Sequence, residues 1–203
     1  MNQVTIVETG ICNTASVQSA LRRAGAEPLS LRGADEALTA PFLILPGVGS
    51  FGQAMARLKE QHLLDALRER LRRRLPTLAI CLGLQLLCAA SEESPDVRGL
   101  ALIPDTVRRF PNSLPVPQCG WNRVLGPSLI NGYAYFANSY RLSSIPPGYD
   151  GAFATYGEPF VAALWSPGLL ACQFHPELSG AWGLELIRNW LMSATTGDVR
   201  CSV

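Results

Sequence analysis

Short apolar runs alternate with amphipathic stretches through the first half of the chain. Val4-Thr5-Ile6-Val7 reads as a buried strand ended by Thr9-Gly10. From Ser16 to Ala24, Val17, Ala20, Leu21 and Ala24 recur at helical spacing, and Gly25 is a natural stop. Phe42-Leu43-Ile44-Leu45 predicts a second strand, cut off by Pro46-Gly47. Between Gln53 and Leu75, Leu58, Leu64, Leu67 and Leu71 share one face of a long helix or helix pair, with Lys59, Arg68, Glu69 and Arg72 elsewhere. Thr77-Leu78-Ala79-Ile80 is a third strand that runs into an apolar helix starting near Leu82. Strand-helix repetition of this kind predicts an α/β fold, a mostly parallel central sheet with helices on both faces.

The second half changes character. Between Ser91 and Pro167 helical periodicity fades, and Pro, Gly, Asn and aromatic residues dominate. Val107 to Phe110, Tyr133 to Tyr140 and Ala152 to Tyr156 predict short strands in a smaller, more antiparallel region. Leu169 to Phe174 returns as a strand before His175, and a last helix over Ala181 to Leu191 turns Leu184, Ile187 and Leu191 inward. No repeat, low-complexity segment or linker interrupts residues 1–203, which we read as one domain of ordinary size.

Composition narrows the function classes. With 17 basic and 16 acidic residues the net charge is +1, which speaks against nucleic-acid binding. Arg72-Arg73-Arg74 closes an amphipathic segment, where cations suit a helix C-terminus. The N-terminus has neither a basic start nor a long apolar stretch, so no signal peptide is expected. The greasy run from Thr77 to Ala90 is shorter than the roughly 20 residues a membrane-spanning helix needs. The six cysteines (12, 81, 88, 119, 172 and 201) lack C-x-x-C spacing and fit free thiols in a reducing cytoplasm.

Cysteine attacks as a thiolate, and a helix N-terminus or a nearby imidazole favours that state. Cys81 follows four strand-like residues and precedes an apolar helix, with Gly83 two positions on: a strand-turn-helix elbow at the carboxyl edge of a parallel sheet. The Leu82 N–H would point to the same place as an oxyanion donor. Taken locally, Cys81 reads equally well as a small buried residue at a strand end. The chain has only two histidines. His62 lies in the charged amphipathic stretch, whereas His175 ends an apolar strand and is followed by Pro176-Glu177. A carboxylate two residues on can fix the imidazole's tautomer and raise its basicity, although the same tripeptide also fits a turn with a salt-bridged histidine. In Leu45-Pro46-Gly47-Val48-Gly49-Ser50-Phe51, two glycines after a buried strand let the backbone turn tightly or rotate, so a Val48 or Gly49 N–H could be the second oxyanion donor. Neither phosphate-binding glycine motif is present.

Together these segments resemble the class I, triad-type glutamine amidotransferases, and more narrowly the glutaminase subunits of imidazole glycerol phosphate synthases in histidine biosynthesis. The narrower likeness rests on the Leu45 to Phe51 segment, Ile80-Cys81-Leu82-Gly83-Leu84-Gln85-Leu86-Leu87, Ser91-Glu92-Glu93-Ser94, Gly120-Trp121-Asn122, Tyr135-Phe136-Ala137-Asn138-Ser139-Tyr140 and Gln173-Phe174-His175-Pro176-Glu177. Matching blocks run from about residue 4 to residue 191. The resemblance implies that Cys81 attacks the side-chain amide of L-glutamine, that Leu82 with Val48 or Gly49 holds the oxyanion, and that His175, oriented by Glu177, moves the protons. It implies glutamine contacts at Gly49, Gln85, Glu93, Ser139 and Tyr140. It further implies a (β/α)8-barrel cyclase partner that takes the ammonia, met by Asn13, Gln118, Trp121, Tyr135 and Leu178. Neither a cofactor nor a metal is implied.

This chain departs from the family pattern in places. Ala79 replaces a usual glycine two residues before the nucleophile, and Cys12 stands where small residues are usual. Leu178 replaces a basic residue, Gln118-Cys119 a common His-Met pair, and Asn138 a frequent histidine. The partner-facing changes keep open an alternative, a glutaminase serving a paralogous synthase outside histidine biosynthesis. A further expectation is that the Val48-Gly49 peptide rotates to aim its N–H inward, with turnover slow alone and faster beside a ligand-loaded synthase.

Overall fold

The computed structural model describes residues 2–8, 14–127 and 130–195, excepting the side chains of 194 and 195. Its first half alternates strands and helices. β1 (Asn2–Ile6), α1 (Ala15–Arg23), β2 (Ala26–Ser30), α2 (Ala34–Thr39) and β3 (Phe42–Leu45) lead to α3 (Phe51–Glu60), α4 (Leu64–Arg72) and β4 (Thr77–Ile80). Next come α5 (Leu82–Leu86), β5 (Cys88–Ser91), β6 (Ile103–Arg109), β7 (Gln118–Val124), β8 (Gly132–Asn138) and β9 (Tyr140–Arg141). β10 (Asp150–Tyr156), β11 (Glu158–Ser166), β12 (Leu169–Cys172) and α6 (Gly180–Thr195) follow, with a 3-10 turn over Pro176–Leu178.

Among the described residues, seven strands form the main sheet in the order β10-β11-β12-β4-β3-β1-β2. From β12 to β2 the neighbours are parallel; β10 and β11 join as antiparallel strands. β4, β3 and β12 are buried at every position, as expected for central strands covered on both sides. Their alternation divides the core. Leu78, Ile80, Ile44 and Leu170 face Val17 and Leu21 of α1 and Ile187 and Trp190 of α6. Ala79, Leu43, Leu45 and Ala171 face Leu58 of α3, Leu67 of α4 and Leu84 of α5. A pair of short antiparallel strands, β7 and β8, packs Phe136 and Val124 on the first of these cores.

Several local expectations change shape. The long helical stretch divides into α3 and α4, with the backbone at His62 reversed to φ 57°. The helix after Leu82 ends at Leu86, and the chain enters β5. An apolar run buried on all sides has no period that separates helix from strand, so the boundary was not legible. β2, α2, β7 and β11 go unpredicted; β2 is an edge strand carrying Pro28, which only an edge tolerates.

Candidate active site

Three parallel strand ends define the site. Register pairs Leu45 of β3 with Ala79 of β4, and Cys172 of β12 with Ile80 of β4. The residues leaving β3, β4 and β12 therefore emerge side by side, which brings Gly47–Gly49, Cys81 and His175 around one cavity of about 170 Å³. A roomier cavity, about 310 Å³, lies where α4 leads toward β4, lined by Arg72, Arg74 and Tyr149, and contains no cysteine or histidine.

Cys81 is the turn itself. Its φ of 53° and ψ of −108° reverse the chain between β4 and α5. The reversal needs two glycines: a Cβ on Gly83 would overlap the Leu45 carbonyl oxygen, and one on Gly47 would overlap Leu82. Ala79, where the family favours glycine, is fully buried in the sheet. The Cys81 N–H donates to the Cys172 carbonyl at 2.6 Å, and the Leu82 N–H donates to the Gly47 carbonyl at 3.3 Å. Gly49 has φ 104°, a conformation few other residues adopt.

His175 is buried and lines the same cavity as Cys81. Its Nδ1 lies 2.8 Å from Glu177 Oε1. Burial opposes a charge on the imidazole, but the Cys81 sulfur and the Glu177 carboxylate outweigh it and raise His175 to about 10. The imidazolium is thus the resting form at neutral pH, facing sulfur and carboxylate together. Glu177 Oε2 is buried with no hydrogen-bond partner among the described residues, which leaves the imidazolium to offset the carboxylate charge.

The expected glutamine contacts converge on the same cavity: Gly49, Gln85, Glu93, Ser139 and Tyr140 line it. Glu93 Oε2 accepts the Phe51 N–H at 2.6 Å and so caps α3 as well. The expected partner-contact residues scatter by strand alternation. Trp121 and Leu178 are exposed, at 59% and 43%, and Tyr135 is half-buried. Gln118 is buried on the inner side of β7, while its neighbour Cys119 faces out. Asn13 lies outside the described residues.

The sequence profile of the family described as glutamine amidotransferase class-I matches residues 6–194. The chain belongs to this family. It is 42% identical over 197 residues to a protein of Escherichia coli (strain K12) named imidazole glycerol phosphate synthase subunit HisH, with 93% of this chain and 98% of that protein covered. The protein of the same name from Moorella thermoacetica is 39% identical over 198 residues, with 94% of each covered. A crystal structure of a glutamine amidotransferase superimposes with a TM-score of 0.78 at 20% identity, over 94% of this chain and 98% of that one. The structure of PurLQS from Thermotoga maritima gives 0.74 at 15%, with the same coverage. Both structures share the fold.

One polar residue of this amidotransferase at the site went unassigned from sequence. Gln173 is fully buried, and its Nε2 donates to Cys81 Sγ at 3.6 Å. The signal was there: an amide inside the apolar run Leu169 to Phe174 requires a buried hydrogen-bond partner.

Proposed function

We propose that this amidotransferase is the glutaminase subunit of an imidazole glycerol phosphate synthase. It hydrolyses L-glutamine and passes the ammonia to a (β/α)8-barrel cyclase subunit, in the cytoplasm, for histidine biosynthesis. The observation that carries this reading is one cavity that brings Cys81 and His175 together, with the imidazole 2.8 Å from the Glu177 carboxylate. Sequence identity of about 40% across nearly the whole chain supports the subunit and pathway.

The chemistry follows from the charges. The Cys81 thiolate attacks the side-chain carbonyl carbon of glutamine, and the oxygen takes up the negative charge. The Leu82 N–H, which must first leave the Gly47 carbonyl it meets at 3.3 Å, holds this oxyanion with that of Val48 or Gly49. The C–N bond breaks as His175 gives its proton to the leaving ammonia, and a glutamyl thioester remains. Neutral His175 then takes a proton from water, whose oxygen displaces the sulfur and releases glutamate. Glu177 keeps the ring oriented and offsets its charge. Glu93 faces the substrate ammonium group, and hydroxyl and backbone donors near Ser139 and Tyr140 face its carboxylate.

Other features agree with this placement. Cys81, Cys88 and Cys119 are free thiols, as suits a reducing compartment. Among the described residues no helix is long and apolar enough to cross a membrane. Two cores share one sheet, which supports a single glutaminase domain. In the reconstituted complex, Cys81→Ala abolishes glutamate formation; activity retained by that variant would rule the mechanism out.

A further inference from the structure

β12 continues into Gln173, whose side chain has no exposed surface. A buried amide must be hydrogen-bonded, and this one touches two groups of the proposed site. The orientation of the amides is fixed from one end. The Tyr140 carbonyl oxygen can only accept, so the Gln85 atom 3.1 Å from it is the nitrogen, Nε2. That nitrogen sends its second N–H to Gln173 at 3.0 Å, where only Oε1 can receive it. Gln173 therefore turns Nε2 toward Cys81 Sγ, at 3.6 Å. With both amide hydrogens of Gln85 engaged, its carbonyl oxygen is left as the acceptor for a ligand in the cavity it lines.

We propose that Gln173 is a positioning residue with two tasks: it locks Gln85 with its carbonyl oxygen available to glutamine, and it gives the Cys81 thiolate an N–H donor in addition to the imidazole. The inference rests on Cys81 being the nucleophile and Gln85 a glutamine contact. An uncharged donor in a dry site stabilises an anion without adding a proton that can be lost, whereas His175 must give up its own during each turnover. The sulfur thus keeps one fixed donor while the other changes state.

The experiment uses the full chain and two reagents. Iodoacetamide modifies Cys81, followed by peptide mass across a pH series, and L-glutamine protects it. Gln173→Met keeps the volume and removes both hydrogen bonds. Its alkylation profile moves to higher pH by about one unit. The half-protecting glutamine concentration rises about tenfold, because Gln85 is free to turn over. Gln173→Glu offers Gln85 an oxygen in either protonation state, so protection stays within about twofold of the native value. A native alkylation profile in Gln173→Met overturns the contact with sulfur. Native protection in Gln173→Met, or an equal loss in Gln173→Glu, overturns the hold on Gln85. Native Cys81 that resists iodoacetamide, or that glutamine fails to protect, defeats the underlying reading instead.

Discussion

Two demands conflict at Cys81. Its sulfur has to stand at the mouth of α5, and the backbone that puts it there has φ 53°, where a side chain is strained. Such conformations cost on the order of 1–3 kcal/mol and persist where function needs them. Glycine would relieve the strain but loses about 0.5–1 kcal/mol more entropy on folding. Cys81→Gly is therefore expected to be more stable than Cys81→Ala by roughly 1 kcal/mol in urea unfolding. Equal stability, or an advantage for alanine, would show that the elbow is unstrained. The meeting of Cys81 and His175 at one cavity was readable in the sequence, because rare residue types stood in informative places. Two histidines left few pairings for Cys81, and Pro176-Glu177 marked out His175. Gln173 escaped assignment because one amide in a strand does not say which partner it meets.

Between elements, the least expected contact is made by Arg70. On sequence it is one more charge on an amphipathic helix. In the structure its guanidinium is fully buried and donates to Thr77 Oγ1 and to the carbonyls of Ala37, Ala40 and Pro76, at 2.6 to 3.0 Å. Burial pulls it down to about 10, still charged at neutral pH. The side chain ties α4 to the carboxyl end of α2, where a cation is favoured, and to the entrance of β4. Arg70→Met takes the guanidinium from the Ala37 and Ala40 carbonyls, while Pro76 keeps the Leu43 N–H, and the expected loss is roughly 3 kcal/mol or more by denaturant midpoint. A loss below about 1 kcal/mol would mean that water replaces the guanidinium. Helix periodicity says which side chains are apolar, not which charge the next element will cover. The same limit explains α5: Leu82 to Ala90 is apolar whichever way it coils, and tertiary packing decides the switch to β5. The strands leading to Cys81 and His175 were legible because their runs are short, buried and bounded by Pro or Gly.

Taken whole, the molecule carries its exposed aromatic residues on the β7–β8 pair. Trp121 and Tyr135 face each other across it with ring centroids 6.4 Å apart, and Tyr133 is 61% exposed. Large aromatic residues dominate the energetics of protein interfaces. Trp121→Ala is expected to weaken the proposed complex with a cyclase subunit at least tenfold by titration calorimetry, with little change in melting temperature. Unchanged affinity would move the contact surface elsewhere.

The β7–β8 pair also has an inner attachment. The His175 N–H donates to the Tyr135 carbonyl at 2.9 Å, and the Tyr135 N–H donates to Ser179 Oγ at 3.0 Å. One residue thus has its ring beside Trp121 and its backbone bonded to that of His175. Pressure on the outer face of this ribbon therefore reaches, through a single backbone hydrogen bond, the main chain that carries the imidazole.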